Sequence, residues 1–182
     1  MRQELARVER ISAREVWLNE ATDFTPWMCD HIEELGGVLG LNLRDAKPEQ
    51  STGNFWVDIV AQDEDGGTVV IENQLEKSDH DHLGKLLTYL ASYGANTAVW
   101  VTPVARQEHV NAITWLNESG LAQFFLVKVE VIRIAGSPPA PLFTQIAGPS
   151  EIIEKAGDQK RESTESKEML RRFWTGLLER AR

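Results

Sequence analysis

The sequence has little cysteine, no long apolar run and a shortage of positive charge. Cys29 is the single cysteine, so an internal disulfide is impossible and a reducing cytoplasm is the expected location. A membrane-spanning helix needs about 18 or more consecutive apolar residues, and no such run is present. Residues 1–5 lack an apolar stretch after their charges, which argues against a secretory signal.

The charge balance limits the class of function. Nineteen Lys and Arg stand against 28 Asp and Glu, giving a net charge of −9 and a pI near 5.0. Coating nucleic acid by bulk attraction needs a basic surface, so that class is disfavoured. A nuclease stays possible, because clustered carboxylates that hold metal ions add negative charge and the bound ions reverse it locally. Neither a Gly-rich phosphate loop nor a Gly-x-Ser-x-Gly elbow is present.

The apolar pattern predicts an α/β domain with a mixed central sheet flanked by helices. Thr25 is expected to cap the first helix, and Ser78 with Asp81 resembles a capping box for the second. The predicted segments are an extended arm or edge strand over 1–18, a helix over 24–35, a short strand over 39–44, a loop over 48–53, strands over 55–61 and 68–75 joined by a turn at 63–67, a helix over 78–94, a strand over 97–101, a helix over 104–119 and an edge strand over 124–134.

The predicted domain covers residues 1–148, and 149–182 is read as a charged linker followed by an amphipathic helix. Residues 136–149, rich in Pro, Gly and Ala, are read as a linker or meandering loop. The last helix has an apolar stripe that needs a covering surface, either the domain itself or a second molecule, so a homodimer is a possibility. Its members are Met169, Leu170, Phe173, Trp174, Leu177 and Leu178.

Two acidic residues interrupt two adjacent apolar strands. Asp58 lies within Phe55–Ala61, and Glu72 follows Val69–Ile71. An unpaired buried charge costs several kcal/mol, so each carboxylate needs a compensating partner. A basic partner for Asp58, and a position near a strand end for Glu72, would be the structural explanation.

The tight hairpin offers a second explanation, a divalent-metal site. Side chains alternate along a strand, so Glu72 and Gln74 point the same way, and a hairpin register can set Asp58 beside Glu72. Two carboxylates and an amide oxygen form a set of hard ligands that suits Mg²⁺ or Mn²⁺. Such a metal polarises a phosphoryl oxygen and activates a bound water, which indicates cleavage of phosphodiester bonds.

These residues resemble the PD-(D/E)XK nuclease superfamily, which has a restriction-endonuclease-like core. The motif is Asp58 followed by Glu72-Asn73-Gln74, with Val57 where a proline is usual. The stretch from about 15 to 141 is also similar to a group of uncharacterised prokaryotic proteins in that superfamily. The similar pieces are residues 19–27, 70–75, 82–89 and 137–141, and residues 170–174 resemble the opening of a second domain that is truncated here.

The resemblance implies a role for each site residue. Asp58 and Glu72 would bind the metal, and Glu20 on the first helix, or alternatively Asp23, would complete the site. Gln74 stands where lysine is usual; it can orient a water or donate to phosphate but supplies no charge. Lys85 could replace the missing lysine, or be an ordinary solvated helix lysine.

The sequence contains two weaker signals. Asp79-His80-Asp81-His82 could bind a transition metal, although its spacing matches no strong zinc pattern and acids are common at a helix start. Cys29-Asp30-His31 could suggest a thiol nucleophile, but adjacent helical positions do not face each other and Cys29 flanks the core stripe. Trp100 and Trp115 are expected in the core or in an interface.

Two functions therefore compete. The favoured one is a nuclease that needs Mg²⁺ or Mn²⁺ and acts on nucleic acid, expected to be DNA, in restriction, repair or defence. The alternative is an inactive module of nuclease fold that binds nucleic acid or a protein partner. The missing lysine and the acidic surface motivate the alternative.

Overall fold

The computed structural model describes residues 5–52 and 55–149 as a three-layer α/β structure. The side chains of residues 49–52 and of residue 55 are not described. The strands are β1 (Val8–Ile11), β2 (Arg44–Thr52), β3 (Phe55–Gln62), β4 (Thr68–Asn73), β5 (Thr97–Thr102), β6 (Gln123–Ile134) and β7 (Ala140–Ala147). The helices are α1 (Ala13–Val16), α2 (Thr25–Asp30), α3 (Ile32–Leu39), α4 (His80–Tyr93) and α5 (Gln107–Glu118), and a π-helical turn spans Glu20–Phe24.

The seven described strands form one mixed sheet, which confirms the predicted fold class. Its order is β1-β6-β5-β4-β3-β2, with β7 also paired to β6. The β4–β5 and β5–β6 pairs are parallel and the other pairs are antiparallel. All of β5 is buried, as its continuous apolar run predicts.

A helical layer covers each face of the sheet. One face packs on α1, α2 and α3 through a core that includes Phe24, Leu35, Ile71 and Val127. The opposite face packs on α4 and α5 through a core that includes Trp100. None of the helices in the described ranges is both long enough and apolar enough to cross a membrane.

The β3–β4 hairpin forms where it was predicted. Its turn is closed by the Asp63 side chain, which accepts hydrogen bonds from the backbone N–H groups of Asp65 and Gly67. Gly66 has a φ of 81°, a left-handed conformation that glycine adopts without strain. The hairpin therefore fixes how the two acidic residues meet.

Several predicted boundaries and strand positions are wrong. Residues 48–52 of the predicted loop are instead part of β2, which begins at Arg44, so the strand predicted over 39–44 is also wrong. The 136–149 linker contains β7, which pairs with β6. Because β6 also pairs with β1 and β5, it is a central strand and not the predicted edge.

The helix starts also differ from the prediction. Thr25 is the first residue of α2 and does not cap it, because Phe24 is at the N-cap position; Asn19 caps the π-helical turn that precedes α2. The short helix α1 lies within the predicted extended arm. Asp79 caps α4, and the Ser78 hydroxyl lies against His109. Gly94 ends α4 in the left-handed conformation, as predicted. The predicted helix over 169–178 lies outside the described residues.

Candidate metal and catalytic site

The hairpin register brings the two predicted metal ligands together. Ile59 pairs with Ile71 across the antiparallel β3–β4 ladder. The ladder ends at this pair, and Asp58 and Glu72 are the next residues of the two strands. The two carboxyls interact electrostatically across neighbouring strands, since the charge of Asp58 raises the pKa of Glu72.

Asp58 has one oxygen fixed by the backbone. Its Oδ2 accepts a hydrogen bond of 2.7 Å from the Asn73 N–H. Burial raises the pKa of Asp58 to about 6, against the lowering effect of that hydrogen bond, and the charge of Glu20 raises it further. Lys85 and His82 are the cationic neighbours that lower it. Asp58 is thus a poorly solvated carboxyl close to other charges.

At Glu72 the environment disfavours the charged form of the carboxyl more than at Asp58. Its side chain is 2% exposed, and burial together with Asp58 raises its pKa to about 9. Its Oε1 lies 3.6 Å from Lys85 Nζ, while its buried Oε2 has no hydrogen-bond partner among the residues that the structure describes. A buried polar atom without a partner costs about 1–3 kcal/mol. A proton shared with Asp58, or a cation between the two carboxyls, would remove that cost.

Glu20 points toward the sheet, and Asp23 does not. Glu20 Oε2 accepts a hydrogen bond of 2.5 Å from the Leu75 N–H, just after β4. Asp23 is used locally, since its carboxylate accepts from the Asn19 N–H and the Thr22 hydroxyl. Of the two alternatives from the sequence, Glu20 is the one whose carboxylate reaches the hairpin strands.

Gln74 is buried and makes its contacts away from the two carboxyls. Its Oε1 accepts from the Trp100 indole N–H at 3.2 Å. Its Nε2 donates to the Lys77 carbonyl at 3.0 Å and to Asp79 Oδ2 at 2.6 Å. Both amide protons are therefore taken. In this arrangement Gln74 joins β4 to β5 and to the start of α4.

Asp79 links Gln74 to His82 through hydrogen bonds to both residues. Asp79 Oδ1 lies 2.9 Å from the His82 N–H and 2.8 Å from His82 Nδ1. Burial alone would raise the pKa of Asp79, but the hydrogen bonds from His82 and Gln74 lower it to about 2. Sequence reasoning missed His82 as a neighbour of Asp58. The signal was present in the Asp79-His80-Asp81-His82 run, which was read only as a possible metal motif.

That run is not assembled as a transition-metal site. His80 Nδ1 lies 3.0 Å from His109 Nε2, and His109 Nδ1 lies 2.7 Å from the Ser78 hydroxyl. Within residues 5–52 and 55–149, no three His, Cys, Asp or Glu side chains converge to hold a metal ion. A cation at the hairpin would thus have two carboxylates, with solvent for its other ligands, a pattern that Mg²⁺ accepts.

The remaining chemical candidates are structural. Burial, with a further contribution from Asp30, raises the pKa of the Cys29 thiol to about 11, so a thiolate nucleophile is disfavoured. Cys29 packs against the core, as predicted. Trp100 is fully buried, whereas Trp115 is 69% exposed and so is not a core residue.

Comparisons with other proteins give structural neighbours only. No protein-family pattern matches the chain, and no curated protein matches it significantly. A complex of EndoMS with double-stranded DNA is 21% identical with a TM-score of 0.41, over 56% of this chain and 43% of that one. A repair endonuclease from Pyrococcus abyssi is 26% identical with a TM-score of 0.40, over 53% of this chain and 43% of that one.

A further neighbour is the SPO1766 protein of unknown function from Silicibacter pomeroyi, 12% identical with a TM-score of 0.33, over 78% of this chain and 83% of that one. The chain thus spans less than half the length of the two endonuclease structures. At these TM-scores the resemblance assigns no function, so the function has to be argued from the geometry of Asp58 and Glu72.

Proposed function

We propose that this protein is a divalent-metal-dependent nuclease that hydrolyses phosphodiester bonds of DNA. The observation that supports it most is the buried Glu72 Oε2, which has no hydrogen-bond partner among the described residues and belongs to a carboxyl that interacts with Asp58. A buried carboxylate close to a second, partly buried one weakens the fold unless a cation or a proton lies with them. The presence of both carboxyls at this place is explained if the functional protein binds a cation there.

The donor set fits Mg²⁺ or Mn²⁺. Asp58 and Glu72 would hold the ion, because each has a hard carboxylate oxygen that makes no hydrogen bond within the described residues. When bound, such an ion polarises a phosphoryl oxygen and lowers the pKa of a bound water. Asn73 keeps Asp58 in place through its backbone N–H. Glu20, anchored on the Leu75 N–H, adds a third carboxylate at the border of the site.

Positive charge for the phosphate would come from α4. Lys85 lies beside Glu72 with its side chain 46% exposed, so its ammonium group can shift toward a bound substrate. His82 is held at Nδ1 by Asp79, which leaves Nε2 for a proton or a phosphate oxygen. Gln74 would then act as a positioning residue, since it holds Asp79 and does not itself face the substrate.

The contacts of Gln74 also favour the second candidate, a module that binds nucleic acid without cutting it. A glutamine that is fully engaged with Trp100 and Asp79 cannot provide the charge that lysine provides in the resembled superfamily. If Lys85 and His82 do not take over this task, metal and DNA could bind without hydrolysis. Only an activity measurement separates the two candidates.

The test is cleavage of supercoiled and linear plasmid DNA by the purified chain with Mg²⁺, with Mn²⁺ and with EDTA. We expect cleavage only with metal, and a loss of at least about 100-fold in Asp58→Asn and Glu72→Gln, because each removes a metal ligand. Glu118→Gln, an exposed acid on α5, is the matched control and should cleave normally. Cleavage by both site variants at the wild-type rate would refute the metal site. Metal binding without any cleavage would establish the second candidate.

A further inference from the structure

One strand edge of the sheet is left open between two partners. β5 pairs with residues 123–128 of β6, and β1 pairs with residues 131–134, while β7 pairs along 126–132. A strand has only two hydrogen-bonding edges. β7 therefore occupies one edge, and β5 and β1 share the other. Between the end of β5 and the end of β1, no strand of the described residues pairs with this edge of β6.

A groove of about 490 Å³ lies over this gap. Its floor is the part of β6 from Lys128 to Val131, and its sides are the β1–α1 turn and the chain just after β4 and β5. Leu75 lines the groove, and the Leu75 N–H is the group that Glu20 binds. The groove therefore starts beside the proposed catalytic site.

The groove concentrates positive charge in an acidic protein. Four cationic side chains line it, together with only two acids. The cations are Arg10, Arg14, Lys77 and Lys128, and the acids are Glu76 and Glu130. The full sequence has a net charge of −9, so this surplus of cations runs against the overall charge.

The ion pairs leave part of this charge unneutralised. Glu130 alone serves two cations, with Arg10 Nε and Lys128 Nζ each 3.0 Å from its Oε1. Arg14 lies 2.9 Å from Glu76, an exposed pair that solvent screens. Lys77 forms no salt bridge with any described residue.

We propose that this groove binds the phosphate backbone of the DNA strand that enters the proposed catalytic site. The proposal rests on the nuclease function and adds where its substrate lies. No aromatic side chain lines the groove, so base stacking is not offered, and its cations suit phosphates, which carry no sequence information. A local basic groove reduces the repulsion between DNA and a chain with a strong net negative charge.

The experiment is the binding of fluorescein-labelled single-stranded and duplex DNA, measured by fluorescence anisotropy with Ca²⁺ in place of Mg²⁺. The variant is Lys77→Glu with Lys128→Glu, and the control is Arg44→Glu with Lys47→Glu on β2, at the far edge of the sheet. Both change the net charge equally. We expect at least about a tenfold loss of affinity in the groove variant, and a salt slope lower by about two for duplex DNA.

A milder variant protects this test against misfolding. Lys77→Gln breaks no salt bridge within the described residues, and we expect a smaller loss of affinity in the same direction. Equal losses in the groove variant and its control, or no DNA binding by the wild type, would overturn the groove proposal. If groove variants lose binding while wild-type protein binds DNA but never cuts it, the groove stands and the nuclease function fails.

Discussion

Replacing Glu72 by glutamine should change how the stability of the metal-free protein depends on pH. Glu72 has a pKa of 4.5 when unfolded and about 9 when folded, because burial and Asp58 disfavour its charged form. Between these values the folded state holds a proton that the unfolded state releases. The resulting stability is complete below pH 4.5 and is lost as the pH rises through about 9.

The magnitude follows from the proton count. One proton held only by the folded state makes the free energy of unfolding fall by about 1.4 kcal/mol per pH unit. Glutamine does not titrate, so Glu72→Gln loses this dependence while keeping the shape of the side chain. From about pH 6.5 to about pH 8.5, the variant should therefore gain about 3 kcal/mol relative to the wild type. Groups that do not interact with Glu72 cancel in this difference.

The assay is urea unfolding in EDTA, followed by tryptophan fluorescence, since Trp100 lies in the buried core. Glu118→Gln serves as the control, because Glu118 is exposed, and its curve should run parallel to the wild type. If wild type and Glu72→Gln also run parallel between the two pH values, Glu72 is an ordinary carboxylate. The reasoning about the buried pair would then be wrong.

Two further predictions concern metal and packing. Adding Mn²⁺ at about pH 8 should raise the Tm of the wild type and leave that of Glu72→Gln unchanged, because an ion that binds only the folded state stabilises it. Differential scanning fluorimetry measures both Tm values, and an equal rise in the two proteins would contradict the prediction. Asn117→Ala should lower the free energy of unfolding by about 2–4 kcal/mol, because the buried amide bonds both the N–H and the C=O of Phe124 and their loss leaves them unpaired. Asn111→Ala, an exposed neighbour on α5, should change it by under about 0.5 kcal/mol, and similar losses in both would contradict the packing argument.

The parts of the fold that could be predicted depend on neighbours in sequence. The hairpin needs only two alternating strands and the turn at Asp63, so the meeting of Asp58 with Glu72 follows from local signals. The burial of β5 follows from its composition. Candidate ligands were found for the same reason, because acids inside apolar strands are conspicuous in the sequence.

The parts that failed depend on distant partners. β2 and β7 have loop-like compositions, and they form strands because β3 and β6 offer edges for them. The hydrogen bonds of the Gln74 side chain could not be predicted from the sequence. One partner, Trp100, comes 26 positions later, and the other, Asp79, caps a helix for which the sequence predicts a start at Ser78. The groove is lined by segments that are far apart in sequence, so no single sequence motif predicts it.

β1 and β6 are far apart in sequence, so we expect their pairing to form later in folding than the β3–β4 hairpin. Arg10 and Glu130 are 120 positions apart, so their pairing pays the loop-closure entropy only after the central sheet exists. The β3–β4 hairpin joins close neighbours and can form early. The two acids of the site are therefore brought together by a local contact, whereas one wall of the groove depends on pairing between distant segments. Loosening β1 would therefore leave the two carboxyls in place but would disrupt the groove that we propose binds DNA.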